Sequence, residues 1–171
     1  MRSSLPTMPK TLGSGWSIRR ATAAEHKTVT DLQLRLNRPC RSDSPIDEYF
    51  VAVGEQGIVG CGAVRRRGSL GYLYGLVVEK AWRRRGIGHA LTQARLDWLQ
   101  QENATSVFVL AMFWNIKFFR KHGFTLINKR ESTRLSMLHR DFDDTWSNRS
   151  SLLFLGMSCS KVPSKNAPSL K

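Results

Sequence analysis

The sequence predicts a mixed α/β domain, and three observations carry that reading. Six of the seven residues from Tyr72 to Val78 are aromatic, β-branched or Leu, the composition of a buried strand. Behind it, apolar residues fall at Ile87, Ala90, Leu91, Ala94 and Trp98, the spacing of an amphipathic helix. Elsewhere, short apolar or alternating runs flank Gly-containing turns and read as hairpins. Strand–helix–strand crossovers beside hairpins imply a mixed central β-sheet flanked by helices.

The elements follow in order. Residues 1–15 show no pattern and read as a flexible N-terminal tail; their basic, Ser/Thr-containing character also fits an organellar transit peptide. Trp16–Arg20 alternates as a short strand. Thr22 with Glu25 three residues on makes a capping box for a helix carrying Val29, Leu32 and Leu36, ended before Pro39. Pro39–Asp47 is a polar loop. Tyr49–Val53 and Ile58–Arg65 form a hairpin about Gly54–Gly57, and Gly68–Gly71 turns into the Tyr72–Val78 strand. A helix runs from Gly86 to about Glu102. Val107–Met112 is a strand, Asn115–His122 a short helix stopped by Gly123, and Phe124–Asn128 a strand. Residues 130–150 read as irregular or a hairpin arm, Ser151–Gly156 as a final strand, and 158–171 as a flexible C-terminal tail. The expectation is one domain, 16–157, between two tails.

Composition bounds the function. The chain has 171 residues, 41% hydrophobic and 23% charged, enough for one ordinary core. Its longest apolar run, Val107–Trp114, is too short to span a bilayer, so no membrane role is expected. Cys40, Cys61 and Cys159 are an odd set without a C-x-x-C pair, which fits a reducing cytoplasm. The four histidines lack ligand spacing, so no metal is expected. The net charge of +14 favours an anionic partner. Nucleic acid has charge alone in its support, since no nucleic-acid motif appears.

The chemistry concentrates where the Tyr72–Val78 strand meets its helix. Arg83, Gly86 and Gly88 are spaced R-x-x-G-x-G. Helix first-turn N–H groups lack internal partners and carry partial positive charge. Glycines let a ligand approach the backbone, and Arg83–Arg85 add charge, so the loop suits a phosphate or pyrophosphate. A Rossmann fingerprint would need a third Gly where Leu91 stands, and the G-K-[ST] of a P-loop is absent.

The stretch Arg83-Arg84-Arg85-Gly86-Ile87-Gly88 resembles the [RQ]-x-x-G-x-[GA] signature of the GNAT superfamily of N-acetyltransferases, and LVVEKAWRR upstream resembles its strand-four pattern. Phe118–Phe124, FFRKHGF, resembles that family's later [FLW]-[YF]-x-x-x-G-F element, one helix and one strand downstream. The resemblance covers roughly residues 16 to 130. It implies the acyl-CoA N-acyltransferase fold, with the sheet splayed between the Tyr72–Val78 and Val107–Met112 strands. It also implies transfer of an acetyl group from acetyl-CoA to an amine. The cofactor-binding residues it implies are Leu76, Val77 and Val78 through their backbone, and Arg83, Arg84, Arg85, Gly86, Ile87, Gly88 and His89 at the pyrophosphate. Asn115 and Phe119 would lie along the CoA arm. Gly75 fits the bulge that the family uses to free an N–H for the acetyl carbonyl.

The family's thiolate-protonating Tyr is replaced by Phe119, which donates no proton. Water, Tyr72, Tyr74 or no acid then serves. Tyr72 also occupies the position where some members carry a basic Glu. Glu48 and Asp47 are alternative bases beside a water chain. Trp114 and Phe113 are candidates for the acceptor pocket. The acceptor is an amine of a small molecule, protein or peptide, and Arg65–Arg67, at a hairpin away from the G-x-G end, suggest an acidic one. Monomer and homodimer both fit. The alternatives are a GNAT-fold protein that binds CoA without catalysis and a basic nucleic-acid-binding module.

Overall fold

The computed structural model describes residues 10–12, 15–36, 47–137 and 154–160. Strand β1 (Lys10–Leu12) pairs antiparallel with β2 (Trp16–Arg20). A 3-10 turn at Ala23–Glu25 leads into helix α1 (His26–Arg35). Its start is fixed by Glu25, whose carboxylate accepts from the Thr22 N–H at 2.8 Å and from Arg19 at 2.6 and 2.7 Å. Strands β3 (Asp47–Gly54), β4 (Gly57–Arg67) and β5 (Leu70–Val78) follow as an antiparallel meander. Helix α2 (Ile87–Gln101) crosses over to β6 (Ser106–Met112), parallel to β5. Helix α3 (Ile116–Arg120), β7 (Thr125–Leu126), helix α4 (Lys129–Met137) and β8 (Phe154–Cys159) complete the described chain. Among the described residues the sheet has eight strands in the order β1-β2-β3-β4-β5-β6-β8-β7. It is the splayed, mixed GNAT fold that the motifs imply.

Alternation along the strands builds two cores, one on each face. Phe50, Ala52, Val64, Leu73, Val107 and Val109 pack with Ile87, Leu91, Leu96 and Leu99 of α2. Tyr49, Val51, Ala63, Tyr72, Tyr74 and Phe108 pack with Val29 and Leu32 of α1 and Leu135 of α4. Among the described residues no helix is long and apolar enough to cross a membrane. Cys61 and Cys159 are buried.

Four expectations are corrected. Lys10–Leu12, read as tail, is a strand, and Ser158 and Cys159 belong to β8. Asp47 opens β3 rather than closing a loop. The strand expected over Phe124–Asn128 shrinks to Thr125–Leu126; its ladder with β8 covers those two residues, and Ile127 adds one N–H donated to Gly156 O at 3.1 Å. Within 130–150, Lys129–Met137 is helical; the Asn128 side chain accepts the Glu131 N–H at 2.9 Å, and Arg134 pairs with Glu131 one turn on. Residues 37–46, 138–153 and 161–171, which include most of the expected polar loop, Cys40 and most of the C-terminal tail, lie outside the described residues.

Candidate functional site

The site is an opening in the sheet. β5 pairs with β6 only from Leu70↔Ser106 to Leu73↔Val109. Beyond that, Leu110–Met112 continue paired to β8, while Tyr74–Val78 stay with β4. Among the described residues, the edge of β5 from Tyr74 to Val78 therefore faces a wedge instead of a strand. A sheet edge is a row of backbone groups ready to bind an extended ligand. Within it lies a bulge. Ala63 pairs with Tyr74 and Cys61 with Val77, so Gly75 and Leu76 together oppose Gly62. Gly75 has φ +59°, which only Gly adopts without strain.

At the wide end of the wedge, β5 runs into the basic loop. The Arg83 Nε donates to Val78 O at 2.9 Å and folds the loop back onto the strand. Gly86 caps α2 at φ +82°, and Arg84 also takes a left-handed conformation at φ +64°. The first hydrogen bond of α2 runs from Ala90 N–H to Gly86 O at 3.0 Å. The N–H groups of Ile87, Gly88 and His89 thus open toward the loop as orphan donors. Arg84 and Arg85 are exposed, and the Arg85 guanidinium stacks 4.8 Å above the Trp82 ring. Gly88 would bring its Cβ no closer than 3.6 Å to Phe118, so the protein itself leaves room there.

The structure sorts the other predicted residues. Leu76 and Val78 are half-buried and Val77 is buried, with the backbones of all three on the wedge strand. Asn115 ends a 3-10 turn, Phe113–Asn115, beyond β6, beside the exposed Phe113 and Trp114, which meet edge to face at 4.7 Å. Phe119 is buried in the α2-side core, edge-on to Phe118 and Phe124. Tyr72 and Tyr74 are 6% and 7% exposed, stacked on each other at 5.6 Å. Glu48 is ion-paired with Arg20. Asp47 and Arg65 form a buried bidentate pair at 2.5 and 2.8 Å. That corrects the reading of Arg65 as part of an exposed cationic tip: its side chain is 1% exposed and points inward. Arg66 and Arg67 do lie at the surface.

Three features escaped sequence reasoning. Gln33 of α1 is fully buried and its Nε2 donates to Gly75 O at 3.1 Å, while its Oε1 has no hydrogen-bond partner among the described residues. Arg95 of α2 is 1% exposed and donates to Ala63 O at 3.0 Å and Tyr74 O at 3.1 Å. The i, i+4 spacings Val29–Gln33 and Leu91–Arg95–Leu99 were the available signal, since each puts a polar residue on an apolar face. The third feature is an imidazole pair behind the loop, His89 Nδ1 to His122 Nε2 at 2.9 Å. Burial, then His89 and Arg95, push the His122 pKa down to about 4.

Comparison with known proteins agrees with this geometry. Residues 45–126 match a family model described as an acetyltransferase (GNAT) domain. A GNAT-family acetyltransferase from Staphylococcus aureus superposes with TM-score 0.60 at 14% identity, covering 84% of this chain and 98% of that one. A Mycobacterium tuberculosis protein solved with CoA gives 0.61 at 21% identity, covering 84% of this chain and 98% of that one. N-acetylglutamate synthase from Neisseria gonorrhoeae, solved with CoA and L-arginine, gives 0.64 at 17%; there this chain, 85% covered, spans 33% of the partner's length. A search of curated proteins gives no match. At these identities the structural likeness is one of fold.

Proposed function

We propose that this chain, which carries a GNAT acetyltransferase domain over residues 45–126 in a GNAT fold, transfers an acetyl group from acetyl-CoA to an amine. The observation that carries the reading is the juxtaposition of a one-sided strand edge, Tyr74–Val78, with a glycine-turned cationic loop at its end. An amide-bearing arm needs a strand edge, and a pyrophosphate needs unpaired N–H donors. CoA has both, in that order along its length.

In this reading the N–H groups around Gly86, Ile87, Gly88 and His89 hold the pyrophosphate, with Arg84 and Arg85 beside it. The backbone of Leu76, Val77 and Val78 pairs with the pantetheine arm. The bulge at Gly75–Leu76 then meets the thioester carbonyl. The neutral amine attacks the carbonyl carbon, an N–C bond forms and the C–S bond breaks. The proton lost by nitrogen ends, through solvent, on the departing CoA sulfur. The protein's part is placement and carbonyl polarisation. Tyr72, Tyr74 and Glu48 are committed to packing or an ion pair, so water is the favoured proton carrier.

The test is acetyl-CoA turnover against a panel of small amines, peptide N-termini and lysine peptides. Product amide with at least one acceptor is expected. CoA should also raise the melting temperature more than NAD or ATP at equal concentration. Stabilisation by CoA without any acetyl transfer would leave a CoA-binding protein. Equal shifts from all three ligands would reduce the loop to a general anion site.

A further inference from the structure

We propose that Gln33 and Arg95, which lie on helices outside the cofactor loop, are positioning residues that activate the bulge for the transferred acyl group. The inference rests on the acetyltransferase reading and deepens it. The two side chains grip neighbouring peptide units from opposite faces of the sheet. Arg95, from α2, donates to Tyr74 O, the carbonyl of the amide whose N–H belongs to Gly75. Gln33, from α1, donates to Gly75 O, the carbonyl of the amide whose N–H belongs to Leu76. A donor on a carbonyl draws electron density through the amide and strengthens the N–H at its other end. Gly75 and Leu76 are the two residues outside both registers of β5, at the point where β6 has parted from β5. The grip therefore acts on the donors nearest the wedge.

Both residues are poor choices for packing alone. Gln33 is fully buried with its Oε1 unpartnered among the described residues, a cost that Leu or Met of similar size would avoid. Arg95 puts a cation in the core, and the structure makes room for it. A Cβ on Gly62, the residue opposite the bulge, would lie 2.8 Å from the guanidinium carbon. Arg95 Nε donates to Leu91 O and Nη2 to the Thr92 hydroxyl on its own helix, which fixes the plane of the fork.

The experiment measures the infrared carbonyl stretch of carbonyl-labelled acetyl-CoA bound to the full chain and to Gln33→Leu, Gln33→Met and Arg95→Lys. In the unmodified protein the bound stretch should lie below that of free acetyl-CoA. In the variants it should return toward the free value. The kcat should fall about ten-fold, with acetyl-CoA KM and CoA affinity within about two-fold. Two Gln33 variants guard against one that does not fold. A merely structural role would lower the melting temperature and leave the carbonyl stretch alone. Folded variants with an unchanged stretch and unchanged kcat overturn the positioning role while the acetyltransferase reading stands. Failure of the unmodified protein to bind acetyl-CoA overturns that reading, and this inference with it.

Discussion

Among the described residues, β5 is paired on both edges from Leu70 to Leu73 and on one from Tyr74 to Val78. The closed half is tightly packed. Gly71 lies so near α2 that a Cβ there would meet Leu99 at 2.5 Å, and Leu73 is 1% exposed. Its flank is tied by the buried Asp47–Arg65 pair between β3 and β4. The open half has a bulge, a left-handed glycine and half-buried side chains at Leu76 and Val78. One strand thus shows two uses of backbone hydrogen-bonding capacity. Where both edges are satisfied within the chain, the strand holds the fold. Where one edge is not, it is available to a ligand. If this division is real, perturbing one half should leave the other half's property intact.

The largest expected effect is in the closed half. Asp47→Ala leaves Arg65 buried without its carboxylate, and breaking such a pair typically costs about 3–5 kcal/mol. Denaturant unfolding measures it. Acetyl-CoA affinity of the folded protein should stay within about two-fold. A parallel loss of affinity would mean that the two halves are coupled.

The next perturbation is its mirror, at the ligand end. Gly88→Trp places a side chain where the pyrophosphate would approach, with only Phe118 nearby on the protein side. Acetyl-CoA affinity should fall about a hundred-fold, roughly 2.7 kcal/mol. The fold should be retained, since replacing Gly within a helix gains propensity. Calorimetric titration beside a melting curve reads both. Unchanged affinity in a folded variant would remove the ligand from this loop.

Acid gives an effect of similar kind from behind the loop. His122, buried, has its pKa pushed down to about 4 from an ordinary 6.5. It is neutral in both folded and unfolded chains above pH 6.5. Between there and about 4 the unfolded chain takes the proton more readily. Stability is therefore full above the unfolded value and is lost as pH falls through this window, by about 2 kcal/mol. Unfolding at pH 7 and at pH 4.5 should show this difference, and His122→Phe should remove most of it. An equal acid loss in that variant would assign it to other groups; the Arg19-paired Glu25, whose pKa is held down to about 2, loses its contribution only below this window.

What could be read in advance follows the range of the interactions. The R-x-x-G-x-G turn was legible because its glycines, orphan donors and helix lie within a few consecutive residues. The Thr22–Glu25 box was legible for the same reason. The splay came through resemblance alone, since no local pattern records where β6 leaves β5. Arg65 looked like a surface charge because its partner stands eighteen residues away across a strand pair. Helix α4 was invisible to periodicity, Leu135 being the one buried residue among those of its side chains that are described, although Asn128 and Glu131 carried a cap signal. Gln33 and Arg95 broke the apolar pattern of their helices. Such breaks mark the buried polar contacts that periodicity cannot supply.

The smallest expected effect tests whether the hairpin far from the wedge in sequence still reaches the cofactor loop. Gly54, at the β3–β4 turn, packs under Trp82, and a Cβ there would lie 2.7 Å from the indole edge. The indole is rigid, so alanine must displace it. Trp82 in turn carries the stacked Arg85. Gly54→Ala should therefore cost about 1 kcal/mol of stability, part of the crowding being offset by the reduced freedom of the unfolded chain. It should also weaken acetyl-CoA binding by about three-fold, less than 1 kcal/mol, through a mispositioned guanidinium. The route is checked by a double-mutant cycle. If the signal passes through Trp82 to Arg85, adding Gly54→Ala to Arg85→Ala should change affinity no further. Additive losses would mean that Gly54 acts on the loop backbone directly. No loss of affinity in Gly54→Ala would confine the hairpin to a purely structural part.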